Sequence, residues 1–290
     1  MTQPIQWVEC PRDAMQGIKH FIPTSEKVDY IKSLLRCGFH TLDAGSFVSA
    51  KAIPQLADTE EVFQEIKNDL GNTRLLSIIA NIKGAERAAG FSGTVQDVGY
   101  PLSLSETFQQ RNTNRGIDQA FSDLLEIRKI TQGAHQELVV YLSMGFGNPY
   151  GDVYDTNYVL DFSQRLVDMG VKTISLSDTV AVAKPVQVLQ SFEALHTRFP
   201  GIVFGAHLHV VKGLEEPLIK AAFDGGCNRF DTAMNGYGGC PMAADELSGN
   251  MSSEVLYNYL SKNNYPLTIN TAAFEAARVK AQDLFSTYEH

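Results

Sequence analysis

Apolar runs of strand length alternate with amphipathic stretches of helical period from one end of the chain to the other. Residues 5–9 read as a strand and residues 24–37 as a helix, with Val28, Ile31, Leu34 and Leu35 on one face and Gly38 as its stop. A strand at 39–43 precedes a helix at 60–68, and a strand at 74–80 precedes a short helix at 82–89. A weaker strand at 95–100 leads into a polar loop at 103–114, then a helix at 117–132 and a strand at 137–144. The second half keeps the rhythm: helix 157–169, strand 171–176, helix 185–197, strand 202–209, helix 214–223, strand 229–233. Helices at 252–262 and 271–285 close the chain. Eight strands, each trailed by a helix, predict an α/β fold of the (β/α)8 TIM-barrel type over about residues 4–265. A C-terminal helical extension follows at about 271–286, all in a single domain. A doubly wound open sheet is the alternative, but no G-x-G-x-x-G turn follows the first strand. Such a barrel carries its chemistry at the C-terminal ends of its strands and in the loops after them.

Composition narrows the partners. The 290 residues are 44% hydrophobic and 20% charged, enough to bury a sizeable core. A formal charge of −9 argues against nucleic acid or an anionic membrane as the main partner. No run of about 18 apolar residues is present, so no membrane span is expected. The N-terminal residues lack the apolar core of a signal peptide, and Cys10, Cys37, Cys227 and Cys240 are widely spaced. Together these predict reduced thiols in a cytoplasmic setting.

Polar residues stand where a barrel would use them. Arg12 and Asp13 follow the first strand with Gln16 close behind, Asp43 ends the second and Asp178 the sixth. Taken singly, an Arg–Asp neighbour pair is ordinarily a solvated surface pair, and an aspartate after a strand often caps the next helix. The seventh strand says more. His207 and His209 alternate in His207-Leu208-His209, so both rings point to one face, about 7 Å apart by strand rise. At a barrel mouth they can converge on one cation, to which Asp13 would add a carboxylate and Asn250 an amide oxygen. That donor set suits Mg2+ or Mn2+, with Zn2+ or Co2+ also compatible. A structural zinc site is not expected without a thiolate ligand. His20, His40, His135, His196 and His290 read as surface or packing residues.

After the eighth strand, Gly236, Gly238 and Gly239 precede Cys240 and Pro241. Three glycines in four positions permit backbone at positive φ. The stretch therefore reads either as a lid carrying a chemical thiol or as a glycine-rich connector around a buried cysteine.

Together these motifs resemble the 3-hydroxy-3-methylglutaryl-CoA (HMG-CoA) lyase family, within the metal-dependent barrels that include isopropylmalate and homocitrate synthases. The matching pieces are Val8-Glu9-Cys10-Pro11-Arg12-Asp13-Ala14-Met15-Gln16, Ser46-Phe47-Val48-Ser49-Ala50-Lys51, Asn81-Ile82-Lys83-Gly84, Ser175-Leu176-Ser177-Asp178-Thr179, His207-Leu208-His209, Gly238-Gly239-Cys240-Pro241 and Ser248-Gly249-Asn250. They run in the family's order over essentially the whole chain. The Gly-Gly-Cys-Pro piece is the most specific, because the condensing relatives carry a different glycine-rich segment.

The resemblance implies a divalent-metal-dependent cleavage of (S)-3-hydroxy-3-methylglutaryl-CoA to acetyl-CoA and acetoacetate, a step of leucine degradation. It implies Asp13, His207, His209 and Asn250 as metal ligands, and Arg12, Asp178 and Cys240 as catalytic residues. His207 and Asp178 are both candidates for carrying the hydroxyl proton. Asp43 falls where the family has a catalytic glutamate. A homodimer is the implied assembly, with Mg2+ or Mn2+ as the cation and CoA entering as part of the substrate. Lys51, Lys83 and Arg111 are possible contacts for the CoA phosphates, with solvated charge as their ordinary reading.

Several positions depart from the pattern. Asp43 is a methylene shorter than glutamate, Val210 follows the histidine pair where an acid or amide is usual, and Asn148 stands where cysteine is common. The loop from Cys240 to Asn250 is one residue longer than in animal lyases. A condensing synthase or 2-oxo-acid aldolase on the same barrel, or a non-catalytic acyl-CoA-binding barrel, remain as the other readings.

Overall fold

The computed structural model describes residues 4–239 and 248–288. Eight parallel strands close on themselves: β1 (Gln6–Glu9), β2 (Thr41–Ser46), β3 (Arg74–Ile78), β4 (Asp97–Ser103), β5 (Glu137–Ser143), β6 (Thr173–Asp178), β7 (Val203–Val211) and β8 (Arg229–Thr232). Each pairs with the next, and β8 pairs back onto β1, so the sheet is a barrel with no free edge. This is the (β/α)8 barrel the alternation of patterns predicts.

Two layers of packing follow from the two-residue period of a strand. One face of β3 and β5 puts Leu76, Val139 and Tyr141 into a small cluster of their own, the packed interior of the barrel. The other face meets the helices. Trp7 of β1, for instance, packs its ring against Phe39 and against Phe274 of the last helix, with centroids 5.4 and 6.0 Å apart. Gly99 faces inward, where a Cβ would lie 2.5 Å from Ile78 Cδ1 and 3.0 Å from Tyr141 Cε2, so any side chain there would have to displace its neighbours in that layer.

Three of the elements that were not expected bear on the site. A single-turn helix, α1 (Pro11–Gln16), starts as soon as β1 ends, with Pro11 in its first turn where no amide hydrogen is needed. The segment expected as a polar loop at 103–114 instead contains the helix α2 (Glu106–Thr113). Its ends are capped by local chemistry: Ser105 Oγ accepts from Phe108 N at 3.0 Å, and Asn114 closes it at φ 53°. The third element is a short strand, β9 (Ser248–Asn250), which pairs antiparallel with the end of β7, His209 opposite Asn250. Asn250 thus lies in a strand, three residues before the helix α3 (Ser253–Lys262).

The remaining helices match the expected pattern to within a few residues at their ends. The last, α4 (Thr271–Tyr288), lies across the outside of β1. Among the strands, β2 and β4 each begin two residues and end three residues later than expected, and β2 carries a register shift between Asp43 and Gly45. Cys10, Cys37 and Cys227 are buried free thiols. Among the described residues, no helix is long and apolar enough to cross a membrane.

The two ends of the segment between β8 and α3 are held to one buried carboxylate. Glu9 accepts from Met234 N at 2.8 Å and from the hydroxyl of Ser253, and Thr232 Oγ1 lies 3.5 Å away. Burial dominates at Glu9 and pushes its carboxyl up to about 8, against the hydrogen bonds that favour the charged form. Glu254 repeats the arrangement one layer out, accepting from Asn235 N and from Ser252 Oγ.

Candidate active site

The turn of α1 folds the chain back over the barrel mouth, so Arg12, Asp13 and Gln16 arrive together at the C-terminal end of β1. The Arg12 guanidinium is shared by two carboxylates. Its Nε donates to both Asp43 oxygens at 3.2 and 3.0 Å, and Nη2 donates to Oδ2 at 2.5 Å. Its Nη1 donates to Asp13 Oδ1 at 2.8 Å and to Gln16 Oε1 at 2.9 Å. Gln16 Nε2 donates in turn to Asp13 Oδ1 at 2.6 Å. A guanidinium offers five N–H donors, so this pattern leaves one Nη2 hydrogen uncommitted. Burial lifts the Asp43 carboxyl to about 6, and Arg12 limits the rise, so the pair stays ionised at neutral pH.

Across the mouth, β7 presents both imidazoles. His209 Nδ1 lies 3.1 Å from the Thr179 carbonyl, and His207 Nδ1 lies 3.2 Å from Asp231 Oδ2. Each ring thereby has its Nδ1 occupied, and a neutral imidazole so bound keeps a lone pair on Nε2. One ligand atom each from Asp13, His207 and His209 lie within 4.8 Å of one another. Asn250, carried in by β9, donates from Nδ2 to Asp13 Oδ2 at 2.7 Å and to the Tyr237 carbonyl at 2.9 Å. Burial pushes the Asp13 carboxyl up, but Arg12 and the two histidines outweigh it and hold it at about 2. Burial and the neighbouring His207 lower His209 to about 4. Both groups are therefore in ligand form at neutral pH.

The donor set fits a divalent cation. One carboxylate, two imidazoles and an amide stand together, and one guanidinium against Asp13 and Asp43 leaves the group with net negative charge. Cys10, His207 and Asp231 form a second triple of possible donors. Only the first triple has all three members on the wall of the open cavity, which measures about 380 Å3. Arg12, Ser177 and Thr179 line it together with the apolar side chains of Val48, Ile53, Pro101 and Phe108. Such a mixed cleft suits a ligand with an acyl chain and a few fixed polar atoms.

The structure thus brings together Arg12, Asp13, Asp43, His207, His209 and Asn250. Asp178 is placed differently. Its neighbours Ser177 and Thr179 line the cavity, whereas its own carboxylate turns to the following loop and accepts from Val180 N at 3.2 Å and Ala183 N at 2.7 Å. Burial still pushes its carboxyl up, against those amides. Cys240 lies outside the described residues. The glycines before it do reach the site: a Cβ on Gly238 would lie 2.6 Å from the Asp13 carbonyl oxygen, and its φ is +84°. Lys51, Lys83 and Arg111 are exposed beyond the cavity wall, and Arg111 stacks on Tyr150 at 4.8 Å.

Asp231 and Thr179 were missed as partners of the histidines. For Asp231 the signal was available, because Arg229 and Asp231 share the inward face of β8 by strand alternation. For Thr179 no signal existed, since a backbone carbonyl has no signature in sequence.

A family model described as HMGL-like matches residues 5–280. A hydroxymethylglutaryl-CoA lyase of Bacillus subtilis is 32% identical over 244 residues, covering 84% of this chain and 80% of that one. The cytoplasmic 3-hydroxy-3-methylglutaryl-CoA lyase of Mus musculus is 31% identical, covering 87% of this chain and 72% of its own. The solved structure of an HMG-CoA lyase from Acinetobacter baumannii, in complex with coenzyme A and 3-methylmalate, superposes with a TM-score of 0.90. It is 32% identical, over 99% of this chain and 93% of that one.

Proposed function

The chain belongs to the HMGL-like family, and on that premise we propose that it is an HMG-CoA lyase. In this reading it cleaves (S)-3-hydroxy-3-methylglutaryl-CoA to acetyl-CoA and acetoacetate by retro-Claisen chemistry. One observation carries the reading: Arg12, Asp13, His207 and His209 line a single cavity at the C-terminal mouth of a barrel of this family. Coenzyme A and 3-methylmalate bound to the Acinetobacter relative support an acyl-CoA substrate here.

Asp13, His207, His209 and Asn250 would hold a divalent cation, with Mg2+ or Mn2+ preferred for the hard oxygen donors beside two imidazoles. When bound, the cation supplies Lewis-acid activation of the C3 hydroxyl and an anchor for the substrate carboxylate. Arg12 presents a fixed positive charge and one free Nη2 hydrogen towards the thioester oxygen, where negative charge grows as the C2–C3 bond breaks. Asp43 and Gln16 hold that guanidinium in place, so no reorganisation is needed during reaction. Cys240, two residues after Gly238 in sequence, is assigned proton transfer at C2 of the released acetyl-CoA.

The chain is read as one lyase domain that works as a homodimer in the cytoplasm. With Mg2+ or Mn2+ added, purified protein is expected to release acetoacetate from the (S)-substrate, and chelation is expected to stop it. No product at high enzyme concentration would reject the substrate. Cys240→Ala should lower kcat far more than it changes KM. Turnover near wild type would leave Cys240 a packing residue.

A further inference from the structure

Both site histidines have Nδ1 engaged, but by partners of different charge. His209 meets a backbone carbonyl, whereas His207 meets the carboxylate of Asp231 at 3.2 Å. Asp231 is 3% exposed and stands outside the cavity wall. Its other oxygen, Oδ1, has no hydrogen-bond partner among the described residues, so its one hydrogen bond goes to the His207 ring. Two residues earlier on the same face of β8, Arg229 is also buried, with Nε 3.9 Å from Asp231 Oδ1. The neighbouring strand makes room for it at Gly205, where a Cβ would lie 3.0 Å from Arg229 Cδ.

Burying an ion pair in a barrel interior gains little stability over apolar residues of the same volume. Other interior positions, Leu76 and Val139, are filled in that apolar way. The pair therefore calls for a reason other than packing, and the His207 contact supplies one. Tyr141 packs edge-on against the same ring, with centroids 5.5 Å apart at 80°, which restricts its rotation.

We propose that Asp231, set against Arg229, is a positioning residue for the lyase reaction. It accepts the Nδ1 hydrogen of His207 and so keeps the Nε2 lone pair directed at the place shared with Asp13 and His209. A carboxylate in this role fixes the tautomer and orientation of the ring and strengthens Nε2 as a donor. The proposal rests on the divalent-cation reading above, and adds a residue that neither contacts substrate nor holds the cation.

Two measurements test it, and the first needs neither metal nor substrate. In metal-free protein at alkaline pH, the 15N resonances of His207 should report the Nδ1-protonated tautomer. An Nε2-protonated ring would overturn the proposal. Second, Mn2+ binding followed by electron paramagnetic resonance should weaken about 10–100-fold in Asp231→Asn. Unchanged affinity in folded D231N, with only its stability lowered, would show a structural role and overturn it. If D231N does not fold, the wild-type 15N spectrum decides alone. Wild-type protein that binds no Mn2+ would instead reject the cation reading, while the tautomer would still be read directly.

Discussion

Arg12 is the most constrained side chain of the site, bound by Asp43, Asp13 and Gln16 while buried at the cavity wall. Replacing it by Gln leaves two buried carboxylates without their cation and removes the charge facing the thioester oxygen. For Arg12→Gln we expect kcat to fall about 10²–10³-fold, as when one oxyanion donor is lost, with a smaller change in KM. Steady-state kinetics with near-normal kcat would take Arg12 out of the reaction. The side chains themselves were legible in sequence, as the run Arg12-Asp13 and the alternation His207, His209. Their partners were not. That Asp43 turns to Arg12 depends on two strands meeting, and no local rule connects positions 31 residues apart. Asp178 is the instructive case. Its place at the end of β6 was visible, but alternation with Ser177 and Thr179 turns its carboxylate to the loop amides.

Among the elements, β9 matters most for its length. Three residues suffice to lay Asn250 opposite His209 and beside Asp13. The strand fits because Gly249 allows its backbone to touch the outgoing arm of the same segment: a Cβ there would lie 2.6 Å from the Gly236 carbonyl oxygen. Gly249→Ala should therefore push β9 away and weaken Mn2+ binding, with little effect on the barrel's circular dichroism. Retained Mn2+ affinity would mean the arm tolerates the methyl group. No periodicity could announce a strand of three residues, since alternation needs more positions to be seen. The helix α2 differs. Ser105 before it and Asn114 after it were readable caps, but the polar stretch between them hid a helix whose Phe108 is buried.

For the molecule as a whole, closure of the sheet decides how stability responds to pH through Glu9. Its carboxyl is raised to about 8 in the folded protein, so folding favours the protonated form. The stability it contributes is complete below the ordinary carboxylate range and is lost as pH rises towards 8, by at most about 1.4 kcal/mol per pH unit. Glu9→Gln mimics the protonated state. Denaturant midpoints of the metal-free variant should therefore gain on wild type between pH 5 and 8, and parallel curves would refute the shift. The sequence by itself determined the eightfold alternation, and hence the barrel, because burial of one face per element is written in local periodicity. It also supplied the family motifs, each a short contiguous run. Tertiary structure alone decided which carboxylate meets which base, that Asn250 reaches Asp13 from 237 residues away, and that Asp231 stands behind His207. Those contacts join residues on separate strands, and their geometry exists only once the sheet has closed and its register is set.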